Sequence, residues 1–162
     1  MKKQILNHST RWMTFVAILI LGLSAGASLA EATLFVPFWK SLDGNQFFSW
    51  YQDNKARLVA FYSPMQIWSA VLALFALLLH FFSGTRQKWK MMISTLFAFA
   101  VLATFFIYFK EANAMLAARP MPDAELLVAL NEWEVWQWIR IGLATLAFAF
   151  AVGAASDKPG ED

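Results

Sequence analysis

Long apolar runs separated by shorter polar stretches organise the chain. The runs cover 12–38, 65–82, 91–109 and 136–155. None alternates apolar and polar residues as a barrel strand does. A bilayer core about 30 Å thick takes about 20 helical residues to cross, and each run is near that length or longer. Inside lipid every backbone N–H and C=O must be bonded internally, so a span is either a helix or part of a closed barrel. The pattern predicts an all-α fold: an integral membrane four-transmembrane-helix bundle, one domain over 1–155, with a disordered tail over 156–162.

The punctuation between runs refines this. Pro64 opens the second run and Ser83-Gly84 closes it. Asn131 with Glu134 three residues on reads as a capping box for the fourth. The intervening segments, 40–63 and 110–135, read as two extracytoplasmic loops carrying short helices. In the first, Phe47, Tyr51, Leu58 and either Phe61 or Tyr62 fall at helical spacing beside Gln52, Asp53, Lys55 and Arg57, as in a short amphipathic helix. In the second, "RPMPD" (119–123) breaks two helical pieces. Trp12, Trp39, Trp68, Trp89, Trp133, Trp136 and Trp138 lie near run ends, where an aromatic belt belongs.

Composition supports the membrane reading. Of 162 residues, 59% are hydrophobic and 15% charged, with a mean hydropathy of +0.50, values that soluble domains rarely combine. The absence of cysteine excludes disulfides, iron–sulfur clusters and thiolate metal sites. His8 and His80 leave little for a metal or a bis-histidine haem, so no cofactor is expected. The net charge of +2 is no sign of nucleic acid, because the basic residues flank apolar runs. The expected partners are membrane lipid and a hydrophobic small molecule. Lys2, Lys3 and Arg11 precede the first run, and Arg86, Lys88 and Lys90 crowd the turn after the second. By the positive-inside rule both termini face the cytoplasm, in a multi-pass protein of the inner (plasma) membrane.

The stretch "AGASLAEATLFVPFW" (25–39) carries the first candidate chemistry. Ser28-Leu29-Ala30 before Glu31 looks like a signal-peptidase site behind a basic leader. However, the apolar stretch up to it is about 18 residues, longer than the roughly 7–15 of a signal peptide. Cleavage would also leave an orphan apolar N-terminus. An intact first helix is expected, which lodges Glu31 in its wall, about 28 Å of helix beyond Trp12. Arg140, the first charge below the Trp cluster of the fourth run, lies about 22 Å back from Ala155. Two opposite charges thus sit at similar depth on different helices. Ionisable groups within a span are costly, so they tend to face the bundle interior and pair.

Gln66 opens the second run, Tyr108 and Asn113 end the third, and Gln137 lies one turn before Arg140. Together these residues outline an outward-facing polar pocket. Glu31 and Arg140 are its candidate catalytic pair, with Gln66, Asn113, Gln137 and Tyr108 as candidate binding residues. The competing reading makes Glu31 and Arg140 a structural clamp in a non-catalytic helper, lipid-binding or quinone-binding protein. A channel is disfavoured because no polar path continues through the inner half. His80, at the inner end, reads as an interfacial residue. Gly22, Gly26 and Ala30 form a small-xxx-small stripe suited to close helix packing.

Three stretches carry a family resemblance: the one above, "YFKEANAML" (108–116) and "WEVWQWIRIGLATLAFA" (133–149). Together they resemble the anthrone-oxygenase-like family of small four-helix membrane proteins. Its third segment is typically followed by a polar turn with an Asn, here Asn113, and its fourth opens with a Trp and an Arg, here Trp133 and Arg140. A His or Asn commonly precedes that Arg by three residues, where this chain has Gln137. The resemblance implies oxidation of an activated aromatic methylene by O2 without metal or flavin. Glu31 would take the C–H proton, and Arg140, with Asn113 or Gln137, would hold the enolate.

Overall fold

A computed structural model describes residues 2–156, so the tail from 157 onward, with Lys158, lies outside the described residues. Four long helices account for nearly all of it. The first joins an α-helix, Lys2–Ala30, to a π-helical turn, Glu31–Phe35, and a last α-helical turn, Val36–Lys40. The second is Gly44–Ser83. The third joins Lys88–Thr104, a π-helical turn Phe105–Phe109, and Lys110–Ala118. The fourth is Asp123–Ser156. All four are long and apolar enough to cross a membrane, and no strand occurs among the described residues. The first and third helices each pack against both the second and the fourth, which gives an up-down-up-down bundle.

The long loops with separate short helices are replaced by continuous helices and tight turns at 41–43, 84–87 and 119–122. Segment 40–63 is mostly the first half of the 40-residue second helix, which continues through Pro64. At 1.5 Å per residue that helix is about 60 Å long, twice the thickness of the hydrocarbon core. Its cap is Asp43. The carboxylate accepts from the N–H groups of Asn45 (3.0 Å) and Gln46 (2.9 Å), while Gln46 Oε1 accepts from Asp43 N–H. The fourth helix starts at Asp123, so Asn131 is an interior residue and not a cap. Glu134 instead pairs with Lys40 of the first helix at 2.5 Å. A hydropathy window registers only the lipid-matched part of a helix, which explains why its charged extension looked like loop.

Two contacts hold the turns. Asp123 accepts from Gly44 N–H at 2.8 Å and so ties together the starts of the second and fourth helices. A Cβ on Gly44 would lie 1.8 Å from the Met121 carbonyl oxygen, so only glycine fits there.

The buried seams repeat in steps of four and three. In the first helix they fall at Thr10, Thr14, Ala17, Leu21, Ser24, Ser28 and Glu31, and in the fourth at Leu130, Trp133, Gln137, Arg140, Ala144, Ala147, Ala151 and Ala154. This is the heptad period of helices packed in a left-handed supercoil. The π turns interrupt it. From Glu31 the seam jumps five residues to Val36, and from Thr104 it jumps five to Phe109. One extra residue per turn swings Val36 and Trp39 inward in place of Phe35 and Phe38.

Two cores result. Towards the termini, Ala17, Ala70, Ala73, Ala98, Ala147 and Ala151 pack closely, and hydroxyls bond across the helices. Ser94 donates to the Ala147 carbonyl (2.7 Å) and Thr95 to that of Ala73 (3.1 Å). Gly22 belongs here, since a Cβ on it would meet the Phe148 ring at 3.1 Å, whereas Gly26 has nothing within 4 Å. Towards the other end, Trp39, Phe47, Tyr51, Phe109, Leu130 and Trp133 form an aromatic core. Trp39 and Trp133 are therefore interior residues, only 1% and 3% exposed, and not belt anchors, while Trp12, Trp68, Trp89 and Trp138 stay exposed.

Candidate functional site

The aromatic core surrounds a charge pair. Glu31 opens the first π turn, one seam step beyond Ser28, and is 5% exposed. Arg140 lies on the seam of the fourth helix and is equally buried. Its Nη1 stands 3.8 Å from Glu31 Oε2, close enough for an ion pair but too far for a hydrogen bond. The guanidinium carbon sits 3.4 Å from the ring centroid of Phe109, the last residue of the second π turn. Both helical irregularities thus converge on Arg140, and π turns recur at functional sites. The cation rests on the negative face of the ring, which offsets part of its desolvation.

Gln137 is completely buried and positions Glu31. Its Nε2 donates to Glu31 Oε2 at 3.0 Å and to the Ser28 carbonyl at 2.9 Å. Both donors of the amide are thereby engaged within the bundle, so this residue orients the carboxylate and leaves no N–H for a ligand. Glu31 Oε1 accepts no hydrogen bond from another described residue. None of the five N–H groups of Arg140 donates to another described residue, and its Nε is fully enclosed.

A cavity of about 70 Å³ adjoins this pair, beside the stretch of the second helix between Tyr51 and Gln66 that has no buried residue. Glu31, Arg140, Gln66 and Asn113 line it together. Trp133 Nε1 donates to Asn113 Oδ1 at 3.0 Å, which leaves the Asn113 amide N–H groups as donors. Tyr108 is not in the lining. It stacks on Trp136, with centroids 5.0 Å apart and planes 8° from parallel. Glu111 is likewise elsewhere, exposed beside Lys110.

Four lining groups were not singled out as site residues: Trp39, Tyr51, Lys55 and Tyr62. Trp39 Nε1 is buried with no hydrogen-bond partner. Lys55 donates to Gln52, which in turn donates to the Ala117 carbonyl at 2.7 Å. Reading residues 44–66 as one helix would have put Tyr51, Lys55, Tyr62 and Gln66 near one face at steps of four, seven and four. The Trp39 contribution depends on the π turn and left no such signal.

His80 packs inside the bundle. It is 5% exposed and bonded at both nitrogens, Nε2 with Thr14 (2.9 Å) and Nδ1 with Thr85 (2.6 Å). Among the described residues no group of three or more His, Asp or Glu is arranged to hold a metal. No family model, no curated protein and no solved structure matches the chain.

Proposed function

We propose that this is a multi-pass protein of the inner (plasma) membrane, with both termini cytoplasmic, that binds the oxygen-bearing edge of a hydrophobic aromatic compound between Glu31 and Arg140 and removes a proton from it. One observation carries this reading: a buried guanidinium and a buried carboxylate share a cavity, and neither is fully committed to the other. A guanidinium–carboxylate clamp closes to about 2.7–2.9 Å, usually through two parallel bonds. Here the pair is 3.8 Å apart, and the Arg140 N–H groups make no hydrogen bond to a described residue.

Arg140, Asn113 and the Trp39 N–H then face the carbonyl or enolate oxygen, and Glu31 Oε1 faces the acidic C–H. As the proton passes to Glu31, negative charge grows on the ligand oxygen, where Arg140 stabilises it. The cavity takes the polar edge of a ring, and the apolar body lies in its mouth beside Val59 and Phe105. The resemblance to anthrone-oxygenase-like proteins supplies the overall reaction: a ring methylene and one O2 give a ring carbonyl and one water. The test is O2 uptake and quinone absorbance by the detergent-purified protein with hydroxylated anthrones. Turnover above background that falls about 100-fold or more in Glu31→Gln supports the reading. Turnover that Glu31→Gln leaves unchanged removes Glu31 as the base.

A second reading rests on the small size of the cavity, about 70 Å³. Here Glu31 and Arg140 tie the first helix to the fourth in a non-catalytic helper or lipid- or quinone-binding protein. Folding energetics separate the two readings.

A further inference from the structure

A second and larger cavity, of about 720 Å³, opens at the end of the bundle that carries the termini. Its volume falls within the roughly 300–1,000 Å³ of small-molecule sites. Arg11, Trp12 and Phe15 of the first helix, Gln87 of the second turn, and Ala154 and Ala155 of the fourth helix form its walls. One side is apolar and the rim is polar. Trp12 Nε1 donates to His8 Nε2 at 2.8 Å, which anchors the indole wall.

The floor is closed and satisfied. Thr14 Oγ1 donates to the Thr10 carbonyl (2.8 Å), so it accepts from His80 Nε2, and Thr85 then donates to His80 Nδ1. A ligand therefore finds its polar contacts at the rim, on Arg11 and Gln87.

Among the described residues, charge at this end has one sign. Every described Asp and Glu, from Glu31 to Glu134, lies in the opposite half, whereas Arg11, Arg86, Lys88 and Lys90 gather here. Exposed Trp12 and Trp89 mark the same level as an interface. Basic pockets between spanning helices at this level recognise anionic lipid head groups.

We infer that this cavity is a binding site for one anionic phospholipid. The phosphate sits at the Arg11 and Gln87 rim, and an acyl chain runs along Trp12, Phe15 and the Ala154–Ala155 face. The inference rests on the membrane reading of the chain but not on the Glu31 site.

Native mass spectrometry of the full chain, released from detergent with added phosphatidylglycerol or phosphatidylcholine, tests it. The expected result is a single retained lipid, with phosphatidylglycerol preferred at least about tenfold. Arg11→Gln should cut that preference to about threefold or less. Ala155→Trp, which fills the exposed cleft, should abolish retention with an unchanged melting temperature. An Arg57→Gln control, on the opposite half, should keep the full preference. Equal retention of the two lipids would overturn the site, as would an undiminished preference in both Arg11→Gln and Ala155→Trp. A protein that stays soluble without detergent would instead remove the membrane reading itself.

Discussion

The two halves of the bundle use opposite packing chemistry. Towards the termini, alanines bring the helix backbones close; Ser94 spends its hydroxyl on a carbonyl of the fourth helix, and Ser69 and Thr95 share theirs between their own helix and a neighbouring one. Towards the other end, the helices are held apart by Trp39, Phe47, Tyr51, Phe109 and Trp133. Among the described residues, all four enclosed side-chain polar atoms without a partner lie there: Ser28 Oγ, Trp39 Nε1, Gln137 Oε1 and Arg140 Nε. So do both π turns. Small residues make a regular seam that leaves no enclosed side-chain polar atom without a partner among the described residues. Large rings on a shifted seam leave unmet bonding capacity, and such local departures concentrate where proteins bind or react.

The largest expected effect is in the aromatic half. Trp39→Ala should cost about 3–5 kcal/mol, because it empties the centre of that core. A melting temperature in detergent equal to that of the parent would show that the aromatic cluster is not a core. Next, Ala147→Leu should cost about 1–3 kcal/mol by overpacking a seam with no spare room. Val59→Leu, which enlarges a residue beside the small cavity, should stay within about 0.5 kcal/mol. Equal costs for these two enlargements would erase the proposed contrast in packing. Asp43→Ala removes the cap of the second helix and should cost about 1 kcal/mol, read from the same melts. A subtler change, Trp39→Phe, keeps most of the ring and deletes an N–H that has no partner. Its stability should change by less than about 1 kcal/mol. Titration by intrinsic fluorescence should nonetheless show weaker binding of a quinone-like ligand.

Hydropathy alone was enough to find four helices long and apolar enough to cross a membrane, because crossing lipid demands long unbroken apolar runs. Depth counting along 1.5 Å rises also set Glu31 level with Arg140, and their side chains approach to 3.8 Å. The helix ends were hidden, because Asp53, Lys55 and Arg57 continue a helix past the apolar window without breaking it. The terminal-side seam was hidden too, since Thr10, Thr14 and Ser24 score as polar while lying buried. The π turns left no signature in composition. Without them Trp39 belongs to the outer face of its helix; it was assigned to a belt because it lies at a run end. Gln137 was placed near the site by spacing. Its role in holding Glu31 emerged only when both of its N–H bonds were located.

The central claim is that Glu31 and Arg140 face a shared ligand and are not locked to each other. A double-mutant cycle tests it most directly, with Glu31→Gln, Arg140→Gln and the double variant compared by chemical unfolding in detergent. The account expects a coupling energy below about 1 kcal/mol, with all three variants folded. Single substitutions that each cost about 3–5 kcal/mol, with a coupling of similar size, would mark a buried clamp and contradict it.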